Sequence, residues 1–144
     1  MAVAFQVTFD CADPASLAEF WTKMLDYKID DPPKGFADWP SALKAWGVPK
    51  EDWNKASAIV DPDGKGPRVF FQRVPEEKVV KNRVHLDLRV SGDQTVTPDE
   101  KKKRVDEAVI RAESFGAKKL WPKEEMGLYW VVMQDPAGNE FCLS

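Results

Sequence analysis

The chain has 144 residues, 43% hydrophobic and 31% charged, with a formal net charge of −3. That length builds a core without disulfide or metal staples, the mild charge gives no reason to bind nucleic acid, and no apolar run approaches the about 20 residues of a membrane-spanning helix. Cys11 and Cys142 make no disulfide framework, and no charged leader followed by an apolar stretch opens the chain, so a cytoplasmic protein is expected.

The first segment, Val3 to Asp10, alternates: Val3, Phe5, Val7 and Phe9 share one face, and Gln6, Thr8 and Asp10 the other, as in a half-buried strand. Asp13-Pro14 then reads as an N-cap with proline in the first turn. Leu17, Phe20, Trp21, Met24 and Leu25 follow at helical spacing, so a helix with one apolar face runs to about Asp26. Pro32, Pro33, Pro40 and Pro49 break up residues 32–55, where two short helices are predicted, from Asp38 to Gly47 and from Pro49 to Lys55. Trp39, Trp46 and Trp53 recur every seven residues there. Their indoles either pack down on the core as a lid or rim a ligand pocket. Strands at Ala56–Val60 and Arg68–Val74 flank the turn Asp61-Pro62-Asp63-Gly64.

The second half repeats this order. Arg83 to Val90 alternates, with Val84, Leu86, Leu88 and Val90 opposite His85, Asp87 and Arg89. Thr97-Pro98-Asp99-Glu100 is a capping box. It opens a helix with the stripe Val105, Ala108, Val109, Ala112 and Phe115, closed by Gly116, and its charged run 99–104 is a solvated face. Strands are predicted at Lys118–Trp121, Leu128–Gln134 and Glu140–Ser144, the last two joined by Asp135-Pro136-Ala137-Gly138-Asn139. Each half is thus a strand, a helix and about three strands, repeated after roughly seventy to eighty residues, which is too long for a solenoid.

Several segments resemble a known family in order along nearly the whole chain. Phe9-Asp10-Cys11-Ala12-Asp13 running to Phe20-Trp21, Phe70-Phe71-Gln72-Arg73-Val74-Pro75-Glu76, Lys81 to Leu88, and Asp135-Pro136-Ala137-Gly138-Asn139-Glu140-Phe141 resemble glyoxalase-like domains of the vicinal oxygen chelate superfamily. The resemblance implies an α+β fold of two βαβββ modules, their curved mixed sheets forming a cup with helices outside. It implies one domain over 1–144, with module one at about 1–80, carrying the 32–55 insertion, and module two at about 81–144. A homodimer is the assembly it implies.

The same resemblance places four metal-ligand positions at Gln6, Gln72, His85 and Cys142, the last where metal-binding relatives commonly have Glu. Parity puts Gln6, His85 and Cys142 away from the helix-covered faces; Phe70 shares a face with Gln72. One imidazole, two neutral amides and a thiol form a poor set for a divalent ion. The expectation is therefore no cofactor, a divalent metal being the less expected alternative. A single His in the chain argues against the two-His, one-carboxylate triad of ring-cleaving dioxygenases.

The expected function is metal-independent binding of a small molecule in the cup, with no nucleic-acid or membrane partner. Candidate ligand contacts are Gln6, Thr8, Phe70, Gln72, Arg89, Trp130, Glu140, Cys142, Trp39 and Trp46. The alternatives are enzymes: a metal-free lyase, dehydratase or isomerase using His85 with Asp87 or Glu140, or a metal-dependent enzyme of the lactoylglutathione-lyase type. Several residues keep a plainer reading. His85 could be a satisfied structural side chain, Asp87 and Arg89 an ion pair, Cys142 a small buried thiol, and Glu140 a surface carboxylate.

Overall fold

A computed structural model describes all 144 residues. Residues Met1–Glu77 form one compact unit and Lys78–Ser144 a second. No helix is long and apolar enough to cross a membrane.

In the first unit, β1 (Val7–Cys11) leads into α1 (Pro14–Leu25), then β2 (Lys28–Ile29), α2 (Trp39–Ala45), a 3-10 segment (Lys50–Lys55), β3 (Ala56–Val60) and β4 (Val69–Arg73). The sheet order is β1-β4-β3-β2, with β1 parallel to β4 and the other pairs antiparallel. Asp13 caps α1 by accepting from the Ser16 N–H at 3.2 Å and the Ser16 hydroxyl at 2.7 Å. Asp38 caps α2 through the Ser41 N–H at 2.8 Å. α1 buries Leu17, Ala18, Phe20 and Trp21. Trp21 meets the Phe9 ring at 5.3 Å, and Phe9 stacks on Phe71 at 5.5 Å, so β1, β4 and α1 share one aromatic core.

The second unit runs β5 (Asp87–Leu88), α3 (Pro98–Ser114), β6 (Lys118–Glu125), β7 (Leu128–Gln134) and β8 (Glu140–Leu143), with sheet order β5-β8-β7-β6. Its first strand lies parallel beside its last, as in the first unit. The chain is therefore two βαβββ modules, each with a four-stranded mixed sheet. Thr97 caps α3, and Gly116 leaves it at φ 105°, a backbone region where a side chain would be strained. The core residues of α3 are Val105, Val109 and Ala112; those of the strands include Val131, Met133, Phe141 and Leu143.

Three strand expectations need correction, and one short strand has no counterpart among them. The first strand begins at Val7, not Val3, and Val3 and Phe5 are 89% and 72% exposed instead of half-buried. Its partner β4 starts at Val69, with the Val7 N–H on the Arg68 carbonyl, so residues upstream have no strand beside them. The strand expected at Arg83–Val90 narrows to Asp87–Leu88, and Val84 is 83% exposed. Pairing with β8 starts at Leu86, whose carbonyl accepts from the Cys142 N–H, so Val84 lies beyond the sheet. β6 continues past Trp121 to Glu125 through Pro122. It is an edge strand, where proline's missing N–H leaves no ladder bond unmade. Its turn into β7, Met126-Gly127, has φ 50° and 75°, the signature of a tight hairpin. β2 was not foreseen: two residues carry no periodicity.

Candidate functional site

The first unit contains a cavity of about 800 Å³. Its floor is the sheet face opposite α1, where Phe70 on β4 pairs with Ala58 on β3. Its wall is the proline-rich insertion, which contributes Trp39, Leu43 and Trp53. The volume falls within the 300–1,000 Å³ typical of small-molecule sites. Each wall indole spends its one N–H on backbone: Trp39 donates to the Asp30 carbonyl at 2.7 Å, and Trp53 to the Val48 carbonyl at 2.9 Å. The rings are fixed, and what remains for a ligand is apolar surface. Of the repeated tryptophans, Trp39 and Trp53 line this cavity. Trp46 does not join them: it is 54% exposed and meets Phe36 edge-on at 5.8 Å.

Most polar groups on this wall are engaged within the chain. The Asn54 amide accepts from the Ala15 N–H and donates to Asp13, each at 2.8 Å. Lys55 pairs with Asp52 at 3.0 Å. Arg68 donates through Nε to Asp30 at 2.9 Å and through Nη1 to the Gln6 amide oxygen at 3.0 Å, and its guanidinium lies 5.4 Å from the centre of the Phe70 ring. Arg68 and Trp53 were missing from the sequence-derived contacts. A signal existed for both: Arg68 shares strand parity with Phe70 and Gln72, and Trp53 belongs to the tryptophan repeat.

The second unit brings together His85, Asp87 and Cys142, whose ligand atoms lie within 4.8 Å of one another. Asp87 is the pivot. Its carboxylate stands 3.3 Å from His85 Nε2, and the parallel β5–β8 register sets it opposite Cys142. Burial, then the charge and hydrogen bond of Asp87, push the Cys142 thiol up to about 11. It is a neutral thiol at pH 7 and a poor nucleophile.

Two of the four positions expected from the family resemblance, Gln6 and Gln72, lie in the first unit and are engaged separately. Gln6 in the first unit holds Arg68, while Gln72 donates to Asp10 at 2.7 Å. Gln72 lies four residues along β4 from Arg68, roughly 13 Å at strand rise. Those two amides do not converge on an ion. In the second unit, Asp87 adds to His85 and Cys142, giving a nitrogen, an oxygen and a sulfur donor of the kinds zinc accepts.

Glu140 is not a surface carboxylate. It is 9% exposed, meets Lys78 at 3.0 Å and accepts from the Asn82 N–H at 2.9 Å. Burial alone would raise its pKa; the Asn82 and Lys78 bonds outweigh that and lower it. Both bonds tie it to the segment 78–82 that leads to His85. Thr8 is exposed on β1, opposite Phe70 in register, and Arg89 is exposed beyond β5. Trp130 is half-buried on β7, opposite Lys123.

The glyoxalase-like domain family matches residues 6–144. No curated protein sequence matches the chain. Among solved structures, a fosfomycin resistance protein, FosX, from Listeria monocytogenes, described in complex with Mn(II) and a dihydroxypropylphosphonic acid, superposes with a TM-score of 0.62 at 11% identity, over 99% of this chain and 89% of that one. A glyoxalase/bleomycin resistance protein/dioxygenase family enzyme from Burkholderia phytofirmans gives 0.61 at 15% identity, over 96% and 94%. A hypothetical protein from S. aureus, SA1046, gives 0.59 at 19% identity, over 99% and 96%. At such identities the structural likeness concerns the fold alone. With the match to the family over 6–144 and the paired βαβββ modules, the chain belongs to the glyoxalase-like domain family of the vicinal oxygen chelate superfamily.

Proposed function

We propose that this protein binds an apolar, planar small molecule in the cavity of its first unit, and that this binding needs no metal. The supporting observation is the cavity itself: about 800 Å³, with fixed indoles and Phe70 in its wall and neither His nor Cys in its lining. A neutral fluorescent probe, N-phenyl-1-naphthylamine, tests it. The expected result is saturable, blue-shifted emission that persists in EDTA. Ala58→Trp fills the floor and is expected to weaken the probe at least tenfold; Trp39→Ala removes one wall and serves as the second variant if the first misfolds. Absence of saturable binding to the folded parent would overturn the reading, as would unchanged affinity in both folded variants.

A second reading rests on the His85, Asp87 and Cys142 cluster. It is a divalent-cation site, which would also admit metal-dependent chemistry of the kind suggested by a relative that holds Mn(II). Cobalt(II) titration tests it. Stoichiometric binding with a thiolate-to-cobalt absorption band, lost in Cys142→Ser and His85→Ala, is the outcome this reading expects. A flat titration would dismiss it and leave His85 and Asp87 as a metal-free acid–base pair.

A further inference from the structure

We infer that the ligand class of the first-unit cavity is a flat aromatic ring bearing an anionic oxygen group, a carboxylate in its simplest form, received by Arg68. The inference rests on the cavity reading above and adds the chemistry of its occupant.

A guanidinium carries five N–H donors in a rigid fork. In Arg68, Nε is engaged by Asp30 and one Nη1 donor by Gln6. Nη2 makes no hydrogen bond within the chain. The residue is therefore an aimed donor with capacity left over. The other charged and amide groups of the wall, Asp52, Asn54 and Lys55, are paired with each other or with the cap of α1.

The aiming is shared with the aromatic wall. Asp30 is tied to β3 by its N–H on the Ala58 carbonyl at 2.9 Å. Its own carbonyl holds the Trp39 indole, and its carboxylate holds Arg68. One residue thus fixes the cationic group relative to the ring that would stack on the ligand. Phe70 beneath the guanidinium fixes its plane further. Gln6 stands at a position where the family resemblance suggests a metal ligand. Here its side-chain oxygen orients Arg68, so it is a positioning residue.

Magnitude decides how strong the preference is. A charge-assisted hydrogen bond is about twice as strong as a neutral one, and an apolar cavity strengthens it further. Asp30 offsets part of the guanidinium charge, which limits the gain. The expectation is a preference of about tenfold, not thousandfold.

Isothermal calorimetry on the full chain with 2-naphthoate and its neutral analogue 2-naphthylmethanol reads this directly. The naphthoate is expected to bind about tenfold more tightly. Arg68→Ala should bring the two affinities level; Arg68→Gln, which keeps the stem and an amide, is the variant to use if Arg68→Ala misfolds. Gln6→Ala should reduce the preference by a smaller factor, a readout that a purely structural role for Gln6 would not move. Equal affinity for both compounds in the parent overturns the inference and leaves the cavity reading standing. A preference that survives the loss of Arg68 overturns it too. Binding of neither compound overturns the cavity reading with it.

Discussion

Phe71→Ala is expected to cost about 3–5 kcal/mol, the usual range for removing a buried aromatic side chain. Phe71 is fully buried on β4, stacked on Phe9, which in turn meets Trp21 of α1. Removing its ring takes the centre from a contact that joins two strands and the helix. Total stability for a domain of ordinary size is about 5–15 kcal/mol, so the variant should melt far earlier in thermal denaturation followed by circular dichroism.

The neighbour separates fold from function. Phe70 lies on the opposite sheet face, half-buried against the cavity and beneath Arg68. Phe70→Ala should change stability far less than Phe71→Ala and weaken the naphthyl probes. Equal losses of stability from the two variants would mean that the cavity face is packed as a core, and the binding site would have to be sought elsewhere.

The duplicated unit and its helices were legible in the sequence because they rest on local chemistry. Asp13-Pro14 and Thr97-Pro98-Asp99-Glu100 act within one helical turn, and the apolar stripes of α1 and α3 follow at helical spacing. Strand parity also put Asp87 and Cys142 on their faces, but did not give their convergence with His85, which lies before β5. That depends on the parallel register of β5 with β8, whose paired residues are far apart in sequence. The same limit hid the polar end of the cavity. The partners of Arg68, Asp30 and Gln6, are 38 and 62 residues away, and no periodicity links them. Val3, Phe5 and Val84 show the opposite error: alternation promised burial, and burial requires a neighbouring strand that those residues lack.

The two Asp-Pro turns look equivalent in sequence but are expected to respond very differently to the same substitution. Asp135 is buried, and its Oδ1 accepts from the Ala137 and Asn139 N–H groups, each at 2.9 Å, while Oδ2 accepts from the Asn139 amide at 3.0 Å. Asp135→Ala strands these donors, some of them out of reach of water. Each buried polar group left unpaired costs about 1–3 kcal/mol. A loss of about 3 kcal/mol, or a fall in Tm of roughly 6–12 °C, should follow. Asp61 accepts from the N–H groups of Asp63, Lys65 and Gly66 at 2.8, 3.0 and 2.7 Å. The Asp63 and Gly66 bonds come first in holding its carboxyl below the ordinary range. The motif is the same, but two of those three bonds are exposed to solvent, and there water replaces the lost carboxylate. Asp61→Ala should therefore lower Tm by only a small fraction of the Asp135→Ala fall. If burial is what makes the second turn indispensable, restoring the acceptor without the charge should recover part of it, so Asp135→Asn is expected to melt between the parent and Asp135→Ala. The turn delivers the strand that carries Cys142, so Asp135→Ala should also diminish any cobalt(II) absorption seen in the parent, whereas Asp61→Ala should leave it unchanged.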